Sequence, residues 1–141
     1  MIRYLLDTNV VSETARQVPD PAVIRWIAGL PQLAMASVTL YELRRGIDRL
    51  VAGRKRRFLD EWLGALLDSE CTVVALDREA ALAAAELEAM GRRLGRSVEQ
   101  RDLLILATAR AHGFGVATRN VDHFRGFGVA LFDPFEGRHL V

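Results

Sequence analysis

Asp7, Glu42, Asp102 and Asp122, with Asn120 beside the last, are the residues whose types and places could do chemistry. Asp7 follows Tyr4-Leu5-Leu6, a short apolar run that reads as a strand. Glu42 falls in the first turn of a helix after a second apolar run. Asp102 opens the most apolar segment of the chain, Leu103 to Ala109. Asn120 and Asp122 come just after Val116-Ala117. In an open parallel sheet, ligands sit beyond the carboxyl ends of the strands, where these residues would gather. Several carboxylates without a lysine to match them repel one another, and a divalent cation removes that repulsion. Oxygen-only donors select Mg2+ or Mn2+ over zinc. Such a centre orients a phosphodiester, activates a bound water and stabilises the leaving oxygen.

Each of these residues also has a plain structural role open to it. Asp7 could cap the turn that follows it. Glu42 could complete a capping box with Thr39. Asp102 could favour its helix dipole, and Asn120 and Asp122 could be turn residues. Asp102 weighs most against that reading, because a carboxylate entering an apolar helix costs several kcal/mol unless it is paired. Competing chemistries find no support. His112, His123 and His139 have no ligand spacing with Cys71, and neither a phosphate-binding G-x-x-x-x-G-K-[ST] loop nor a G-x-S-x-G elbow occurs. A receiver or phosphatase site would want a second acid two residues after Asp7, where Asn9 stands.

Strands alternating with helices must position these residues. The pattern predicts strands at 4–6, 33–36, 71–76, 116–117 and 129–132. A short helix is expected over 10–16. Asp20 caps a helix with Pro21 at its first position. Apolar Leu40, Leu43, Ile47 and Leu50 predict an amphipathic helix over 39–51. Phe58, Leu59, Trp62, Leu63, Leu66 and Leu67 predict the buried stripe of the next. Asp77 caps a long alanine-rich helix that ends at Gly95. A segment apolar on all sides, such as 103–109, belongs at the centre of the molecule. The expected fold is a three-layer α/β/α sandwich. Its sheet is mainly parallel, with four to five strands, and a small helical arm surrounds the basic segment.

The 141 residues fit one domain, and half of them are hydrophobic. A single cysteine, Cys71, reads as packing in a reducing compartment. No signal peptide or membrane span is expected, so the protein is read as cytoplasmic. The net charge of +1 hides a polar distribution. Between Arg44 and Arg57 there are seven basic residues and one acid, Asp48, which leaves −5 for the remainder. Arg44, Arg45, Arg54, Arg56 and Arg57 are therefore candidate contacts for phosphate, or a partner surface.

Four segments carry a resemblance: Leu5-Leu6-Asp7-Thr8-Asn9, Ser37 to Leu43, Arg101 to Ala109, and Ala117 to Phe124. In order and spacing they resemble PIN-domain ribonucleases, in particular the VapC toxins of toxin–antitoxin pairs. The resemblance covers nearly the whole chain and implies one PIN-like domain over 1–141. It also implies a Mg2+-dependent endoribonuclease (Mn2+ possible) that cuts tRNA, rRNA or mRNA, forms a homodimer and is inhibited by a cognate antitoxin. By motif match, Asp7, Glu42 and Asp102 carry over as acidic residues of the metal site. The fourth position departs from the simplest pattern: Asn120 stands where an aspartate is common, with Asp122 just before His123. Asn120, Asp122 or a water would complete the site, with Thr118 beside it. The alternative function is a non-catalytic module that binds operator DNA together with an antitoxin.

Overall fold

The computed structural model describes residues 1–141. Its strands are short: β1 Tyr4–Leu6, β2 Ala34–Ala36, β3 Thr72–Val74, β4 Gly115–Ala117, β5 Leu131–Asp133 and β6 Arg138–Leu140. The helices are α1 Thr8–Val11, continued by a 3-10 turn Ser12–Ala15, α2 Pro21–Ala28, α3 Ser37–Asp48, α4 Arg54–Asp68, α5 Arg78–Arg93, α6 Gln100–His112 and α7 Val121–Phe124.

Hydrogen bonds join β1, β4, β5 and β6 in that order, and β2 pairs with β3. Strand β2 also packs along the other side of β1. All pairs are parallel except β5 with β6, where Phe132 faces His139. β1 is thus central, and the chain runs outward from it to β2 on one side and to β4 on the other. Asp7 ends β1 at this switch point, where a crevice opens at the strand ends.

The period of two along each strand sorts the core onto two faces. Leu5, Ala34, Ala36, Val116 and Leu131 join α5, α6 and α7 in one cluster. Leu6 and Met35 join Val10, Val23, Leu43, Ile47 and Leu63 in the other. These clusters are the two interfaces of an α/β/α sandwich. α6 runs through the first, burying Leu103, Ile105, Leu106, Ala107, Thr108 and Ala109, and ends in the left-handed Gly113. Asp20 and Asp77 cap α2 and α5 through the backbone N–H groups of Ala22 and Ala80. No helix is long and apolar enough to cross a membrane.

Several details differ from the sequence pattern. α3 begins at Ser37, without a side-chain cap. The Ser37 hydroxyl instead accepts from Leu76 N–H, while the Thr39 hydroxyl is buried without a partner. The expected capping box is therefore absent, and Glu42 is left for other contacts. In α4 only Leu63 is fully buried, and Phe58 is 55% exposed. Arg54 to Arg57 take up the first turn of that helix, and α3 covers only part of its apolar side. The sixth strand, past Pro134, pairs with the edge of β5.

Candidate functional site

Asp7 is 6% exposed and held from two directions. Its Oδ1 accepts from the Thr8 backbone N–H at 2.8 Å, and its Oδ2 accepts from the Thr118 hydroxyl at 2.8 Å and from Asn9 Nδ2 at 3.3 Å. Thr118 itself is fully buried just beyond β4. It accepts from the Asn120 backbone N–H at 3.0 Å. Asn9 Oδ1 accepts from Arg119 N–H at 3.1 Å, which ties the β4 turn to α1. Asp7 thus caps α1 and also presents a fixed carboxylate in the crevice.

Glu42 projects from the second turn of α3 toward the same place. Its Oε1 accepts from the Thr8 hydroxyl at 3.1 Å, and its Oε2 accepts from Arg101 Nη1 at 2.7 Å. Asp102 stands in the first turn of α6. Its carboxyl is pushed up to about 6 by burial, then by the negative charges of Asp7, Glu99 and Glu42, against a lowering influence from His123. Asp7 is also raised by burial, opposed by Thr118, the Thr8 N–H, the Arg101 charge and Asn9. Asp102 therefore feels the charges of both other acids, although Asp7 lies 95 positions earlier in the sequence.

The fourth position resolves differently from the acids. Asn120 contributes its backbone N–H to Thr118, and its side chain is exposed. Asp122 is also exposed and faces Arg125 at 3.9 Å and Arg138 at 3.8 Å. Neither side chain hydrogen-bonds to Asp7, Glu42 or Asp102. Arg96 fixes this segment by donating to the backbone carbonyls of Asp122, His123 and Arg125.

Two nearby residues were not picked out by spacing. Arg101 is the cation that the acids seemed to lack, and His123 is a second positive influence on Asp102. Adjacency offered the only signal: Arg101 precedes Asp102, and His123 follows Asp122. No three acid, histidine or cysteine side chains are close enough to enclose an ion by themselves. The carboxylates therefore form no closed cage. One or two carboxylates completed by waters is the ligand set that Mg2+ uses.

The basic segment is partly spent on internal pairs. Arg44 reaches Asp48 at 2.8 Å and Asp60 at 2.5 Å, and Arg56 donates to the Leu50 carbonyl. Arg54, Lys55 and Arg57 remain exposed. Arg54 and Lys55 border a groove of about 1110 Å3 between α1, α3 and α4, floored by Leu43, Ile47 and Trp62 and reaching Glu42. A second pocket, of about 600 Å3, lies at the start of α3 and α6; Arg45, Tyr41, Gln100 and Arg101 are among its lining residues. Cys71 is half-buried with its thiol pushed up by burial, which makes it a poor nucleophile.

The three-layer sandwich is the fold of a PIN domain, and the PIN domain family matches residues 4–128. The chain belongs to the PIN-domain family. Within it, the chain is 36% identical to the VapC ribonuclease Y4jK of Sinorhizobium fredii over 136 residues, covering 94% of this chain and 97% of that one. It is 33% identical to toxin FitB of Neisseria gonorrhoeae, covering 93% and 97% of the two chains. Among solved structures, FitAcB from Neisseria gonorrhoeae superposes with a TM-score of 0.83 at 33% identity, over 96% of this chain and 99% of that chain. DNA-bound VapBC from Salmonella typhimurium gives 0.80 at 27% identity, over 95% and 99%.

Proposed function

We propose that this chain is a metal-dependent endoribonuclease, the toxin of a toxin–antitoxin pair. The observation that carries the reading is the Asp102 carboxyl held at about 6 by burial and by the charges of Asp7, Glu99 and Glu42. A carboxyl held this high, first by burial and then by neighbouring negative charges, gains from a cation. Asp7 and Asp102 would hold Mg2+ or Mn2+, with Glu42 joining through water. The bound ion would supply charge neutralisation and an acidified water.

The protein's own groups do the rest. Three hydrogen bonds fix Asp7 in one orientation, so the site needs little reorganisation when RNA arrives. Glu42, steadied by Thr8, would accept the proton of the attacking water. The Thr118 hydroxyl favours the ionised form of Asp7 against the effect of burial, and the Asn120 segment orients Thr118 in turn. Water adds to phosphorus as the bond to the leaving ribose oxygen breaks, and that oxygen takes up a proton from solvent. Arg54, Lys55 and Arg57 are exposed to guide the RNA backbone. The groove between α1, α3 and α4 suits an amphipathic segment of a cognate antitoxin. A homodimer in the cytoplasm belongs to the same reading.

The test uses the purified chain, freed of partner, and structured RNA. Cleavage is expected with Mg2+ and is lost with EDTA or in Asp7→Asn. Undiminished cleavage by that variant would overturn the site. A second reading, a non-catalytic module acting on operator DNA, draws on relatives solved as complexes on DNA. A pure binder of that kind keeps its DNA affinity in Asp7→Asn and cuts no RNA in either form.

A further inference from the structure

The Arg101 guanidinium stands between two acids of opposite character. Nη1 donates to Glu42 Oε2 at 2.7 Å, while Nη2 and Nε donate to Glu99 Oε1 at 2.6 and 3.2 Å. Glu42 is an inner residue with 13% of its side chain exposed, whereas Glu99 is 60% exposed. Arg101 itself is 45% exposed. It therefore borders the acid cluster on one side and the pocket of about 600 Å3 on the other. That pocket contains a second arginine, Arg45, and none of its eight lining residues is acidic. Tyr41 is 59% exposed there and Gln100 lies beside it, so an aromatic face and an amide accompany the two guanidinium groups.

A cation held on Glu42 competes with the water through which a divalent ion would reach the same oxygen. A guanidinium that is half exposed and already shared with a surface acid gives up its inner contact at small cost. Two arginines facing an acid-free pocket match a phosphodiester, and an exposed tyrosine matches a base. Building on the nuclease reading above, we infer that Arg101 is a displaceable counter-cation: it occupies Glu42 while the acid cluster is empty. It then turns into the Arg45 pocket to bind a phosphate of the RNA, beside Tyr41, once a divalent ion takes the carboxylates. The pocket is thus a subsite for the nucleotide next to the cut. Arg101 links loading of the ion to capture of the substrate.

The exchange predicts effects of opposite sign in a single variant. Mn2+ affinity is measured by calorimetry without RNA in wild type, Arg101→Gln and Arg101→Lys. Binding of a labelled single-stranded RNA is measured by anisotropy with Ca2+ as the loading ion, which slows cleavage. In Arg101→Gln, Mn2+ binds about fivefold tighter, the scale of one half-exposed ion pair. The same variant binds RNA more weakly, and its salt slope falls by about 0.7, the value of one phosphate contact on a single strand. Arg101→Lys keeps the charge and restores most of both. Unchanged or weaker Mn2+ binding in Arg101→Gln overturns the exchange, as does unchanged RNA binding with tighter Mn2+. If wild type itself binds no Mn2+, the carboxylate site falls, and the exchange with it.

Discussion

Asp102→Asn is expected to stabilise the metal-free protein at neutral pH while it disables the site. The carboxyl titrates at about 6 in the folded chain, against an ordinary 3.8. Below about pH 4 both folded and unfolded chains hold the proton, and asparagine changes little. Between those values the folded chain keeps a proton that the unfolded chain has released. Above about 6 the folded chain must carry a charge that its surroundings disfavour. The stabilising contribution of this carboxyl is thus present at low pH and lost as pH rises from about 4 to about 6. The full displacement corresponds to roughly 3 kcal/mol. Asp102 is only half-buried, so solvent screening reduces this to about 1.5 kcal/mol. The variant also gives up about 0.5 kcal/mol of helix-dipole stabilisation in the first turn of α6. About 1 kcal/mol remains, some 3 °C in Tm for a chain of this size. Thermal unfolding in EDTA at pH 4, 5, 6, 7 and 8 measures it. The gap between variant and wild type should open with rising pH. Adding Mg2+ should close or reverse it, because only wild type gains stability from the ion. A variant less stable than wild type at pH 7 in EDTA, or a gap that does not vary with pH, refutes the reasoning.

Four further outcomes are expected. Thr118→Val removes the buried hydroxyl that donates to Asp7; denaturant unfolding should show a loss of about 1–3 kcal/mol, and the pH at which Mn2+ binding is half lost should rise. Gly115→Ala would place a Cβ 2.7 Å from the Ala130 carbonyl oxygen and from the Tyr4 ring; with backbone on one side, the cost is about 1–3 kcal/mol or more, read as a lower Tm. Arg54→Ala with Arg57→Ala should weaken RNA binding and reduce its salt slope by about 1.4, two single-strand phosphate contacts. Arg44→Ala should leave that slope nearly unchanged, because Asp48 and Asp60 already hold its guanidinium.

The strongly periodic and strongly apolar parts of the chain were legible before the structure. Leu103 to Ala109 announced the central helix because no face of it could meet water. Tyr4-Leu5-Leu6 announced the central strand, and Asp7 its end. Asp7 and Glu42 both contact Thr8, and the charges of both act on Asp102, since parallel topology gathers strand ends on one edge. Local spacing misjudged Thr39 and Glu42, where the pattern of a cap was present but the helix started two residues earlier. Phe58 matched a buried stripe, yet burial depends on which neighbour covers it, and α3 leaves it open to the groove. Arg101 was missed because its role is a relation to Glu42, 59 residues away, and no local pattern records such a pair. Asp122 carried the right charge in the right segment, but the orientation of α7 turns it toward Arg125 and Arg138.

The hydrogen bond from Thr118 to Asp7 joins residues 111 apart in the chain, and β1 finds its ladder partner in β4 only across the same span. On a ribosome, which adds roughly 5–20 residues each second, the N-terminal acid waits several seconds or more for the residue that orients it. Through that interval β1 has no β4 to pair with, and the carboxylate of Asp7 lacks its buried hydroxyl. A partial chain therefore cannot assemble the crevice. A cell that makes this protein meets its activity as a delayed event, timed by the last long-range contact to form. Truncated products that stop short of β4 are expected to be harmless to RNA.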